Sequence, residues 1–116
     1  MNLFSWFVRA GRVAESDQRK WRVRIFGYDP TAGRTEEGPC KGFITTRYVA
    51  AATATMAREV ALSLVITDTH LAKIVRTEWG GQPVVSSEDV AELESFKGIR
   101  APGGGYTFFD SSDEPQ

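Results

Sequence analysis

The chain has 116 residues, of which 41% are hydrophobic and 25% are charged, and its formal net charge is −1. This length accommodates one domain with one core, and the composition excludes a chain that is disordered throughout. The longest apolar run is far shorter than the roughly 20 residues of a membrane-spanning helix, so we expect no membrane segment.

The first segment, residues 3–13, is apolar and fits either periodicity. As a strand it places Phe4, Trp6 and Val8 on one face, whereas as a helix it groups Phe4 with Phe7. Its Phe, Trp and Val content favours a strand, and the helical alternative stays open. The segment is unlike a secretion signal, because no Lys or Arg precedes its apolar run and arginines follow at once.

A second strand is predicted over residues 20–28, where Trp21, Val23 and Ile25 alternate with a solvent-side row. That row consists of Arg22, Arg24, Phe26 and Tyr28. The connection that follows, residues 29–41, contains Pro, Gly, Thr and Glu without apolar periodicity, so we expect a surface loop. Loops of this length are uncommon unless they have a functional role, so this loop is a candidate functional segment.

The next segment, residues 42–50, is predicted to be a strand, and the main helix follows it directly. We expect Thr53 to cap that helix by accepting a hydrogen bond from its first turn. A helical wheel gives a core face of Ala57, Val60, Ala61, Leu64 and Val65. Leu62 and Ile66 fall near the opposite side, beside Arg58, so the helix is apolar on more of its surface than one sheet face requires.

Three further elements follow the main helix. Asp68 or Thr69 is expected to cap a short helical turn over residues 70–74, and residues 74–79 are predicted to form a strand that two glycines stop. A last short strand is predicted over residues 106–109.

Residues 84–94 fit two structures. Val85, Ala91 and Leu93 fit an alternating strand, whereas Val90, Leu93 and Phe96 recur at helical spacing. We favour the strand, because a sheet needs three or more strands to be stable on its own and this segment would supply one of them.

Together these elements predict an α+β fold. We expect a single small domain over residues 1–109, with an antiparallel four- or five-stranded sheet and one main helix packed on one face. The predicted order is β-β-β-α-β-β, and residues 110–116 are expected to be a disordered acidic tail.

Catalytic chemistry would have to rest on Cys40 and His70, the single cysteine and the single histidine. One residue of each kind is more typical of an incidental loop thiol and a surface imidazole. A structural zinc site needs four Cys or His ligands, and the carboxylates of residues 88–94 are typical of a solvated acidic face. The glycines at residues 103–105 lack the Gly-Lys-Ser/Thr ending of a phosphate loop. We therefore predict no catalytic, cofactor-binding or metal-binding residues and no cofactor.

The lone cysteine also excludes an internal disulfide. It is typical of a reducing compartment, so we expect a cytoplasmic location.

Two contact hypotheses remain for the function. The first is a non-enzymatic domain that binds a protein partner or forms a homodimer through Leu62, Ile66 and Arg58, or through the acidic segment of residues 88–94. In the other interpretation of the helix, the N-terminal cluster of Phe4, Trp6 and Phe7 covers Leu62 and Ile66 within the same chain. The alternative is a nucleic-acid-binding module that uses the row formed by Arg22, Arg24, Phe26 and Tyr28.

The distribution of charge bears on both hypotheses. Residues 1–35 hold seven basic and three acidic residues, and the remainder holds seven basic and twelve acidic residues. A basic and an acidic face suit a charged partner or head-to-tail self-association. Because the chain has no overall basic charge, we favour the protein-contact hypothesis.

Overall fold

The computed structural model of the protein describes residues 18–110. In chain order the elements are β1 (Arg19–Tyr28), β2 (Arg34–Thr35), β3 (Gly38–Pro39), β4 (Lys41–Ala51), α1 (Ala54–Ile66), α2 (Thr69–Glu78), β5 (Val84–Leu93) and β6 (Tyr106–Asp110). The predicted element over residues 3–13 and residues 111–116 of the predicted tail lie outside the described residues.

A four-stranded antiparallel sheet has the order β5-β1-β4-β6. β1 pairs with β4 along its whole length, from Arg19 opposite Ala51 to Tyr28 opposite Gly42. On its other side β1 pairs with β5. The register of this pair shifts between Arg24 and Ile25, so Glu88 of β5 is the extra residue of a β-bulge. The α+β fold and the antiparallel sheet are confirmed, and residues 84–93 are a strand rather than a helix.

The two faces of the sheet differ because side chains alternate along each strand. Trp21, Val23 and Ile25 are buried on the face that the helices cover. The indole N–H of Trp21 donates to the carbonyl oxygen of Ala51 at 2.8 Å, which ties the two central strands together. We call the opposite side the open face; it carries Lys20, Arg22, Arg24, Phe26 and Tyr28 of β1, Ile44, Thr46, Tyr48 and Ala50 of β4, Val84, Ser86, Asp89, Ala91 and Leu93 of β5, and Thr107 and Phe109 of β6.

The main helix, α1, begins at the expected cap. The Thr53 side-chain oxygen accepts a hydrogen bond from the backbone N–H of Met56 at 3.2 Å. The buried residues of α1 are Ala57, Val60, Ala61 and Val65, which is the predicted core face except for the half-buried Leu64.

The segment after α1 corrects the prediction. α2 is one continuous helix, whereas a short turn and then a strand over residues 74–79 were predicted. Asp68 caps it, because its Oδ1 accepts from the backbone N–H of His70 at 2.9 Å. Leu71 and Val75, one turn apart, are buried, so this segment follows the helical rather than the strand period. Two helices, not one, therefore cover the sheet.

Residues 94–105 connect the two edges of the sheet. Phe96 lies against Tyr48 of β4, with ring centroids 6.5 Å apart, so the connection passes over one end of the open face. Within residues 18–110, neither helix has the length and apolar character needed to cross a membrane.

Candidate functional site

An open cavity of about 720 Å³ lies between the two helices and the turn that follows α2. We call it the groove; its walls include Val65 and Ile66 of α1, Ala72 and Arg76 of α2, Trp79 of the turn and Val85 of β5. This volume is within the range of about 300–1,000 Å³ that is typical of ligand sites.

The turn that forms one wall of the groove is fixed by a buried carboxylate. Asp29 is 2% exposed, and its Oδ1 accepts from the backbone N–H and hydroxyl of Thr31 at 2.9 and 2.7 Å. Its Oδ2 accepts from the backbone N–H of Gly80 at 2.9 Å. The Lys41 ammonium group donates to the carbonyl oxygen of Glu78 at 2.6 Å. These bonds hold the turn that forms this wall of the groove in a defined position.

Burial by itself would raise the pKa of Asp29, but hydrogen bonds and a nearby positive charge lower the pKa by more. Hydrogen bonds from Thr31 and Gly80 and the nearby charge of Lys41 stabilise the carboxylate, so the pKa of Asp29 lies below its ordinary value. The carboxylate remains ionised and keeps accepting these bonds at neutral pH.

The lining of the groove is apolar apart from its backbone groups, Gln82 and one charge. Arg76 is the single ionisable side chain among the described lining residues. Ile66 lies at the rim and is 64% exposed, the largest exposed fraction among the large hydrophobic residues of residues 18–110. A guanidinium group beside an apolar surface suits a ligand with an apolar body and a carboxylate.

The groove adjoins the edge strand β5. Val85 contributes to the groove wall, whereas Val84, which pairs with Tyr28, lies on the open face and is 44% exposed. No other strand within residues 18–110 pairs with the outer edge of β5. The first four residues of this strand, 84–87, carry no charge, whereas the bulge and the residues beyond it include Glu88, Asp89 and Glu92.

The three predicted protein-contact residues lie one turn apart along α1 but differ in their surroundings. Leu62 is half-buried and packs against the hydrophobic core. Arg58 is exposed on α1, and Ile66 alone of the three lines the groove.

The four predicted nucleic-acid-contact residues do lie together on the open face. Arg22 and Arg24 are exposed, whereas Phe26 and Tyr28 are half-buried. The rings of Phe26 and Tyr28 lie 6.0 Å apart between centroids.

A buried polar cluster joins β4, β6 and the start of α2. Arg47 is 2% exposed and donates to the Thr45 hydroxyl oxygen. Its Nη2 lies 3.9 Å from Oδ2 of Asp68, to which the Tyr106 hydroxyl donates at 2.7 Å. The Arg47 guanidinium carbon also lies 5.0 Å from the centroid of the Tyr106 ring. Each side chain of the cluster thus has a partner of complementary charge or hydrogen-bonding type.

The shifts in pKa within the cluster favour an ionised Asp68 and a neutral Tyr106 at neutral pH. Burial raises the pKa of Asp68, but hydrogen bonds from Tyr106 and the backbone, together with the charge of Arg47, leave the pKa below its ordinary value. Burial and the hydrogen bond to Asp68 raise the pKa of Tyr106 well above its ordinary value. The Tyr106 hydroxyl therefore stays protonated at neutral pH and cannot act as a base.

The remaining candidates for chemistry lie at separate places in the chain. Cys40 is half-buried between β3 and β4, and its backbone N–H donates to the carbonyl oxygen of Gly33 at 3.0 Å. His70 is exposed in the first turn of α2. Across residues 18–110, no group of three or more His, Cys, Asp or Glu side chains is arranged to hold a metal ion.

Two features of the site escaped sequence reasoning. The groove depends on α2, which was predicted as a strand over residues 74–79. The second feature is the buried position of Arg47, which alternation in β4 could have indicated, because Phe43, Thr45, Arg47 and Val49 share one face.

Comparisons with models of protein families, with curated proteins and with solved structures find no match for this chain.

Proposed function

We propose that the protein is a non-enzymatic binding module that takes an apolar segment of a partner protein in the groove. The observation that carries this proposal is the exposed Ile66 at the rim of an open cavity of about 720 Å³ with a largely apolar lining. A single exposed hydrophobic residue is ordinary, but Ile66 is continuous with the apolar walls of the groove, and contiguous apolar surface commonly marks an interaction site. Arg76 in the wall favours a segment with an acidic residue beside its apolar anchor.

A partner segment fits this surface better than a second copy does. In a symmetric dimer the same patch meets itself, so two grooves would face each other and enclose a void. The described chain presents three exposed large hydrophobic residues, Ile66, Val84 and Phe108, and none of them belongs to a protruding segment that could fill a groove.

The edge strand suggests how the segment binds. Charged residues on an edge strand discourage pairing with other chains, and β5 carries them only at and beyond its bulge. The uncharged half, residues 84–87, lies beside the groove. A segment added there as a further strand would point alternate side chains into the groove while its backbone pairs with β5.

Selection from a displayed library of random peptides tests the proposal, with the full chain as bait. We expect enriched peptides with an apolar anchor and a neighbouring Asp or Glu. Ile66→Gln and Arg76→Gln should each weaken binding of a selected peptide by about tenfold, since each removes an anchor of about 1.4 kcal/mol. Lys73→Gln is the matched control, because it removes one exposed charge from the same helix outside the groove lining.

Methylation of the peptide backbone nitrogens tests the binding mode. In a strand added to β5, alternate N–H groups pair with the sheet, so N-methylation at every second position should abolish binding and at the others should be tolerated. Selected peptides that bind Ile66→Gln and Arg76→Gln as well as wild type, or a library that yields no enrichment, would refute the groove as the site.

A further inference from the structure

The open face carries a row of aromatic rings. The centroid of Phe26 lies 6.0 Å from that of Tyr28 and 5.9 Å from that of Phe109, and the planes of Phe26 and Phe109 differ by 14°. The guanidinium carbon of Arg34 lies 5.8 Å from the centroid of Tyr28. The three residues are half-buried, so the row is partly accessible from this side of the sheet. Such a platform is what successive nucleobases stack on in single-strand binders.

Positive charge lies along the same central strand. Lys20, Arg22 and Arg24 of β1 are basic residues of the open face, and Arg34 lies over the Tyr28 ring. On β5, Asp89 lies opposite Arg24, and the bulge residue Glu88 accepts a hydrogen bond from the hydroxyl of Ser86, which pairs with Phe26, so both acidic residues lie at this face. Arg22 and Arg24 are exposed. Among the described residues the basic groups at this face outnumber the acidic ones, although the net charge of the chain is −1, so this patch favours an anion more than the chain as a whole does.

The combination of rings and guanidinium groups indicates which class of ligand suits the open face. An acidic protein surface would satisfy the charges of Arg22 and Arg24 but would leave the ring platform without a partner. A nucleic-acid duplex supplies phosphates but hides the faces of its bases. A single strand supplies phosphates and accessible base faces together.

We infer that the open face binds single-stranded nucleic acid, with Arg22 and Arg24 on phosphates and Phe26, Tyr28 and Phe109 stacking bases. This inference is independent of the proposed groove function, because the two surfaces lie on opposite sides of the sheet.

Fluorescence anisotropy with the full chain tests the inference, with fluorescein-labelled oligothymidylate and oligouridylate of about 20 nucleotides as probes. We expect binding at low salt, with a logarithmic salt slope of about −1.4 to −2 for two or three phosphate contacts. Arg22→Gln combined with Arg24→Gln should reduce affinity at least tenfold and flatten that slope. Phe26→Leu and Tyr28→Leu should each reduce affinity about fivefold, without changing the slope.

Lys73→Gln is again the control, because it removes one positive charge from the helix side of the molecule and should leave affinity unchanged. Circular dichroism of each variant checks that the fold is retained. Failure of both probes to bind at low salt would overturn the inference. So would equal affinity for a duplex of the same length, or an effect of Lys73→Gln as large as that of Arg24→Gln.

Discussion

At the residue scale, Asp68 connects more of the structure than any other charged side chain discussed above. Its two oxygens accept from the His70 backbone and from the Tyr106 hydroxyl, and Arg47 lies 3.9 Å away. One carboxylate therefore caps α2, anchors β6 and neutralises a buried guanidinium group. Loss of its charge would leave Arg47 inside the protein without a compensating anion.

Asp68→Asn keeps a good helix cap and a hydrogen-bond acceptor but removes the negative charge. We expect it to lower the free energy of unfolding by about 1–3 kcal/mol at pH 7. Because the folded pKa of Asp68 lies below its ordinary value of 3.8, the stabilisation is fully present above that pH and is lost as the pH falls through the folded pKa. Urea unfolding as a function of pH checks this: the difference between the two proteins should shrink below pH 3.8. A difference that stays constant down to acid pH would contradict the role of the charge.

At the element scale, α1 carries two apolar residues that a helical wheel treats as equivalent. Leu62 and Ile66 are one turn apart, yet Leu62 packs against the core whereas Ile66 is 64% exposed. The helical-wheel prediction assumes that only the sheet packs against this helix. In the structure α2 and the turn at residues 79–83 add further surfaces around the end of α1.

The pair Leu62→Gln and Ile66→Gln separates these two environments with the same change of chemistry. Leu62→Gln should lower the free energy of unfolding by about 1–2 kcal/mol, since it exchanges packed apolar surface for a polar group. Ile66→Gln should stay within about 0.5 kcal/mol of wild type. Thermal or urea unfolding measures both. Equal destabilisation would show that Ile66 is covered in solution.

At the scale of the whole molecule, the sheet separates the two proposed surfaces. The groove lies on the helix side, and the open face lies on the other. Strands β1 and β4, paired over ten residues, form the rigid layer between them. Nothing in this arrangement makes the ligands compete for the same residues.

We therefore expect a groove-binding peptide and an oligonucleotide to bind at the same time. Arg22→Gln combined with Arg24→Gln should leave peptide affinity unchanged, and saturating peptide should change oligonucleotide affinity by less than about twofold. Titration of each ligand in the presence of the other measures this. Mutual exclusion would mean that both ligands use one surface.

Several features of the fold and the site were predictable from local pattern. The period of two in Trp21, Val23 and Ile25 identified β1, and Thr53 correctly marked the start of α1. The same alternation placed Arg22, Arg24, Phe26 and Tyr28 on one face. These features depend only on neighbours along the chain, which the sequence displays directly.

Other features depended on contacts between distant segments. Residues 74–79 satisfied a strand pattern, but the cap at Asp68 and the burial of Leu71 and Val75 against the core favour a helix. The sequence by itself determined the period of β1, β4 and α1 and therefore which side chains share a face. Only the tertiary structure decided what covers each face, because burial of Leu62, pairing of Arg47 with Asp68 and the walls of the groove are set by residues far apart in the chain.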